Sequence, residues 1–206
     1  MASLLIRGFL LGFAIAASPG PIFFLCLRRT LLRGWRVGFL SGLGVATVDG
    51  FYAGIAIFGI AAVATFVAGA SRWLALVGGA ALIVIGLRSI IERPTVAEHQ
   101  PPATARSLAS AYASTLGLTI TNPATIISFA ALAAALGSGL SGGVIRPVTV
   151  VLGVFVGSAT WWALLATLAA ALRTRVTPSV ARAIGVVSGL AIAGLGALSI
   201  ASALGH

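Results

Sequence analysis

The sequence predicts an all-α membrane protein of six transmembrane helices, arranged as two inverted repeats of three with the first and fourth helices broken at proline. Three observations lead there. The 206 residues are 59% hydrophobic and only 8% charged, with a mean hydropathy of +1.13, which is more apolar surface than a soluble domain of this size can hide. Six apolar runs reach the roughly 20 residues needed to cross a bilayer. Short motifs also recur between the two halves of the chain, in the same order.

The runs lie near Leu4–Leu27, Val37–Val67, Trp73–Ile91, Leu108–Leu136, Val148–Leu172 and Val180–Leu204. Run one contains Ala17-Ser18-Pro19-Gly20-Pro21. Two prolines flanking one glycine remove two amide donors and clash with the carbonyls of Ile15 and Ala17. Such a break is costly in lipid, where a helix must satisfy its own backbone, unless protein, water or a ligand takes up the freed groups. Run two is long and carries Asp49, the only acid inside the six spans, with Tyr52 three residues on and on the same helix face. Tyr52 reads either as a donor to that carboxyl group or as a packing residue, and spacing favours neither. An ionisable group at membrane depth marks a functional site by default, the alternative being a structural aspartate hydrogen-bonded to hydroxyls or amides. If its surroundings alternate between dry and cation-bearing, it takes up and releases a proton.

Between runs three and four, Glu92 to Ser107 reads as a cytoplasmic loop. Run four carries the second break, Thr121-Asn122-Pro123, and Gly137 to Gly143 reads as a flexible outer loop. Trp161 and Trp162 lie mid-span in run five, where packing is the preferred reading and lining of a cavity the alternative. His99 and His206 read as solvated side chains in a loop and at the terminus.

The repeat rests on three pairings. Pro21 and Pro123 stand 102 residues apart, and Gly44-Val45-Ala46-Thr47 is echoed by Gly157-Ser158-Ala159-Thr160 at 113. Gly79, Ala81, Gly86, Ser89 and Ile90 match Gly189, Ala191, Gly196, Ser199 and Ile200 at 110. Three spans per repeat put the halves in opposite orientations, the plan of many secondary transporters. One transmembrane domain over 1–206 is expected: repeat 1 at about 1–91, the cytoplasmic loop at about 92–107 and repeat 2 at about 108–206. Glycines stepping by four, such as Gly34, Gly38 and Gly42, suit close helix packing.

Ten of the 13 basic residues, all arginine, fall at or near the first, third and fifth connections. The positive-inside rule makes that side cytoplasmic and places both termini outside. The net charge of +10 is therefore topological, and nucleic acid is not an expected partner. The first run is too long for a signal core and has no persuasive cleavage site, so no signal peptide is expected. The single cysteine, Cys26, excludes a two-cysteine redox carrier. One carboxylate and no histidine inside the spans provide neither a metal cage nor a nucleophile–base pair, so no metal, cofactor or enzymatic activity is expected.

Ser18-Pro19-Gly20-Pro21, the segment Gly42-Leu43-Gly44-Val45-Ala46-Thr47-Val48-Asp49 with Tyr52, and Asn122-Pro123 together resemble the lysine exporter (LysE/RhtB) family over nearly the whole chain. The resemblance implies a bacterial inner-membrane exporter of amino acids or derivatives, driven by the proton motive force. Family members often follow Asn-Pro with lysine and alanine, whereas Ala124 and Thr125 stand here. The expected activity is secondary active export by alternating access. The substrate site is expected at Ser18, Pro19, Gly20, Pro21, Asp49, Tyr52, Asn122 and Pro123, with Asp49 as the proton-coupling group. The lipid bilayer and an amino-acid substrate are the expected partners, and a homodimer is compatible with the chain. The competing readings are a passive small-solute channel and a non-transporting membrane assembly protein.

Overall fold

The computed structural model describes residues 1–58, 61–91, 103–122, 124–129 and 144–204, and every structural statement below concerns those residues. Pro123, His99, His206, most of the 92–107 connection and Gly137–Gly143 lie outside them. The described chain is helical without strands: α1 (Ala2–Ala16), α2 (Pro21–Arg33), α3 (Trp35–Phe58), α4 (Ala61–Ile91), α5 (Ala105–Ile120), α6 (Ile145–Leu172) and α7 (Pro178–Leu204). A short 3-10 turn, Arg173–Arg175, joins the last two, and residues 124–129 form a further helical segment after α5.

Four helical stretches are long and apolar enough to cross a membrane: Trp35–Phe58, Arg72–Ile91, Ile145–Arg175 and Pro178–Leu204. The pair α1 and α2, bent by 83° at the break between them, passes the same test as one interrupted span. Large apolar side chains point outward along these helices, among them Leu10, Val77, Leu152, Leu190 and Leu198. Serines, threonines and Asp49 are buried inside. This inside-out distribution suits a lipid solvent, and the molecule is a multi-pass membrane protein.

The first expected span is corrected in shape. It is not one broken rod over Leu4–Leu27 but two helices at a steep angle, the second running on to Arg33. Arg28, Arg29 and Arg33 are consequently helical, and the connection to α3 shrinks to Gly34. At that point φ is +90°, a value a side chain rarely tolerates. The second and third spans are also redrawn. The boundary falls after Phe58, and Ala61–Ile91 is one helix of 31 residues. No charged residue occurs between Asp49 and Arg72, so hydropathy alone has nothing there to mark that boundary. The fourth run is interrupted where expected: α5 ends at Ile120 and helix resumes at residue 124.

Helix α3 is the hub. It packs along α5 on one side and α6 on the other, α1 lies on α6, and α4 pairs with α7. Small residues allow these approaches. A Cβ on Gly44 would lie 2.5 Å from the Tyr112 carbonyl, and Gly12 and Gly157 sit equally tightly in the α1–α6 seam, against Val154 and Phe9. In the α4–α7 pair, a Cβ on Gly86 would come within 2.6 Å of the Gly189 carbonyl, and one on Gly79 within 2.8 Å of the Gly196 carbonyl. Without a hydrophobic force between helices in lipid, such backbone contact supplies the packing energy. Helix α2 lies against α3, α6 and α7.

The two ends of this bundle differ. Gly34 abuts the Arg173 guanidinium, the Trp35 indole donates to Thr167 Oγ1 at 3.0 Å, and Arg182 Nη1 donates to the Ile90 carbonyl at 2.6 Å. The α2–α3 turn, the α6–α7 turn and the end of α4 therefore share one arginine-bearing end.

The α4–α7 seam yields a test. Gly189→Leu forces the two backbones apart and should destabilise the protein by about 1–3 kcal/mol. Gly194→Leu, with open space around its Cβ position, should leave stability unchanged. Thermal unfolding of both variants in one detergent checks this.

Candidate functional site

Helix α1 ends because Pro19 and Pro21 lack amide protons. The last amides turn back on the helix, Ala17 to the Phe13 carbonyl at 2.9 Å and Ser18 to that of Ile15 at 3.2 Å. Gly20 is extended (φ −145°, ψ −177°), and Pro21 opens α2, a position that needs no amide proton. No side chain caps this helix start. With Phe24 bonded to the Gly20 carbonyl, Ile22 and Phe23 are the first-turn donors left over by helix geometry.

The second break is finished differently. Asn122 accepts the Ala124 amide on Oδ1 at 3.2 Å and donates from Nδ2 to Thr125 Oγ1 at 3.1 Å. Its backbone carbonyl accepts from the Ile126 amide at 3.2 Å. Asn122 thus caps the helical segment that follows it.

The two breaks meet across one cleft. Ser18 and Gly20 line it from the first break, Asn122 and Thr125 from the second, and Asp49 from α3. Its apolar walls include Ile15, Ile22, Phe23, Val45 and Trp162, and the space between the walls, mouth included, is about 370 Å³. Asp49 is 2% exposed, and Ser158 Oγ of α6 donates to its Oδ2 at 2.6 Å. Among the described residues no basic side chain lines the cleft. Removing a charged carboxylate from water is costly unless hydrogen bonds or a counter-ion offset the loss. Ser158 supplies one such bond and leaves the other oxygen available to a cationic or hydrogen-bonding group.

Of the residues expected at the site, Ser18, Gly20, Asp49 and Asn122 line the cleft, and Pro19 and Pro21 shape it without lining it. Pro123 lies outside the described residues. Tyr52 is corrected. Its hydroxyl donates to the Ile120 carbonyl at 2.7 Å, satisfying a carbonyl at the C-terminal end of α5, where helix geometry leaves acceptors over, and tying α3 to the second break. Sequence reasoning missed Ser158 as the partner of Asp49, although Ser158 stood in the repeated Gly-Ser-Ala-Thr motif. Trp162 does both things weighed for it. It is packed, at 3% exposure, and it lines the cleft. Thr125 enters through the segment that departs from the usual Lys-Ala. Among the described residues no group of three His, Cys, Asp or Glu side chains comes together.

The LysE type translocator family matches residues 13–202, nearly the full chain and including both breaks, Asp49 and Ser158. A curated relative, "Uncharacterized membrane protein YahN" of Escherichia coli (strain K12), is 39% identical over 66 residues, a stretch that is 32% of this chain and 30% of the relative. No solved structure matches significantly. The extent of the family match, on a multi-pass helical chain whose interruptions face one another, makes this protein a member of the LysE type translocator family.

Proposed function

We propose that the protein is a secondary active exporter of amino acids or close derivatives, coupled to proton influx and working by alternating access. The observation that carries this reading is the cleft itself, where both helix interruptions and the buried Asp49 face one space. Each part suits an amino acid. Uncapped amides at the start of α2 carry partial positive charge and suit the substrate carboxylate, and Asp49 suits its ammonium group. A proton arriving from outside competes with that ammonium for Asp49 and helps to release the cargo outward. One charge moving through 100 mV is worth about 2.3 kcal/mol, roughly a fiftyfold gradient.

The inverted repeat is supported by the way the halves pair. Gly79 meets Gly196 while Gly189 meets Gly86, the exchange that a two-fold axis in the membrane plane requires of positions matched at an offset of 110. Likewise Gly44 of α3 packs on α5 at Tyr112 and Thr115, and Gly157 of α6 packs on α1 at Phe9 and Phe13. The gathering of arginines at one end supports a cytoplasmic assignment for that end in a bacterial inner membrane.

In vesicles preloaded with single amino acids, the wild-type protein should drive efflux against a gradient when a proton gradient is imposed. Asp49→Asn, of nearly equal volume, should abolish the proton dependence. Unchanged gradient-driven efflux in that variant removes the coupling role, and unsaturable downhill flux in the wild type favours a passive pore instead. A stable complex with another membrane protein and no amino-acid flux favours an assembly role.

Ser158→Ala leaves Asp49 without its hydroxyl donor. It should lower stability by about 1–3 kcal/mol, read as the thermal midpoint in detergent, and should slow efflux while leaving its proton dependence in place.

A further inference from the structure

Arg29, on α2, is tied to two other helices. Its Nη1 donates to Ser41 Oγ of α3 at 3.0 Å and to the Ala111 carbonyl of α5 at 3.1 Å. Its Nη2 donates to Ser114 Oγ of α5 at 2.9 Å. All three acceptors are neutral. Asp49, the one acid among the described residues, is bonded to Ser158 instead. The guanidinium is thus hydrogen-bonded without being neutralised, whereas a carboxylate would offer it a bidentate, charge-assisted partner about twice as strong.

The clasp also has a definite place. From Asp49 back to Ser41, from Asn122 back to Ser114, and from Pro21 on to Arg29, the chain steps eight residues along α3, α5 and α2 in turn. At 1.5 Å per helical residue, each step covers roughly 9–12 Å along its helix, the α5 step running past the helix end at Ile120. Arg29 and its partners therefore form a layer displaced from the cleft toward the arginine-bearing end.

Hydrogen bonds independent of Arg29 hold α3 to α5: Thr115 Oγ1 to the Ser41 carbonyl at 2.7 Å, Tyr112 hydroxyl to Thr47 at 3.0 Å, and Tyr52 hydroxyl to the Ile120 carbonyl at 2.7 Å. Helix α2 joins α1 through extended Gly20, which has open space where a Cβ would lie.

We infer that the Arg29 clasp is the gate between the cleft and the arginine-bearing end, and that the carboxylate of the cargo opens it. The arriving anion takes Arg29 from Ser41, Ala111 and Ser114 and releases α2 from the α3–α5 pair, which stays joined. This deepens the exporter reading and rests on it.

Cys26 provides the reporter. It lies three residues before Arg29, is buried, and belongs to a cluster with Ala16, Ile22, Val45 and Trp162, all lining the cleft. In sealed inside-out vesicles of expressing cells, a water-soluble maleimide should label Cys26 slowly, with Cys26→Ser as the background. An equimolar mixture of the common amino acids other than cysteine should speed labelling, and the mixture of their methyl esters, which lack the α-carboxylate, should not. The double variant Ser41→Ala/Ser114→Ala should be labelled about tenfold faster without any amino acid, the change expected when hydrogen bonds to a charged group are lost. Arg29→Gln should be labelled fast whether or not an amino acid is present. Should Arg29→Gln fail to fold by thermal midpoint, the serine pair carries the test alone. Folded variants that stay as protected as the wild type, or a wild type that responds equally to the esters, overturn the gate. Amino-acid uptake into the same wild-type inside-out vesicles, which is the export direction there, separates the two readings. Absent uptake defeats the exporter, whereas uptake with unchanged labelling in the variants defeats only the gate.

Discussion

A helix interrupted in lipid leaves amide and carbonyl groups with no solvent to bind, and the rest of this structure is arranged around meeting that need twice. The two interruptions are satisfied unequally. At the second, Asn122 caps the following segment with its own side chain and Tyr52 takes up the Ile120 carbonyl. At the first, no side chain caps α2. Donors left over by protein groups are those a solute can use. Under the exporter reading proposed above, this asymmetry favours the α2 start for anion binding and a mainly structural role for the second break, although both face the same cleft.

Asp49 could not occupy this cleft without α3 as a hub. The helix is lined by Ser41, Gly42, Gly44, Val45 and Ala46, all buried, so its backbone can approach two neighbours at once. Gly44 admits α5, and Gly42 admits the Trp162 side chain of α6. Asp49 then reaches Ser158 on one side while facing the breaks on the other. A larger residue at either glycine would move the acid away from the cleft before affecting the acid itself, so the small residues of α3 belong to the site as much as to the packing.

Much of this was legible in the chain because membranes make two signals loud. Proline and an acid stand out against an apolar background, and their cost in lipid makes their positions meaningful. Both interruptions fall where Pro19, Pro21 and Asn122 lie. What stayed hidden was geometry without a local signal. The boundary after Phe58 falls in an uncharged stretch and carries no break in hydropathy. The 83° angle between α1 and α2 depends on what α2 packs against, which no local residue encodes. Tyr52 shares a helix face with Asp49, yet a phenol reaches far enough to find the end of another helix, and spacing on one helix cannot choose between the two. Ser158 as the partner of Asp49 is a contact across 109 residues, visible in sequence only as one half of a repeated motif.

The contacts also divide the molecule into parts that can and cannot move. The α1–α6 and α4–α7 pairs are locked by backbone against backbone, where even a methyl group finds no room. Contacts of that kind are lost steeply with separation, since dispersion falls off within an ångström, so these pairs favour rigid-body motion over sliding. Helix α2 is held in another way, by the hydrogen bonds of Arg29 and by side-chain packing, and it hangs from an extended glycine. Hydrogen bonds can be exchanged for others of similar strength, so a polar clasp can be undone by a competing ligand while an apolar seam cannot. Under the exporter reading, a carrier needs one element whose attachment its cargo can replace, and the chemistry of the contacts, rather than their number, is what favours α2 for that part.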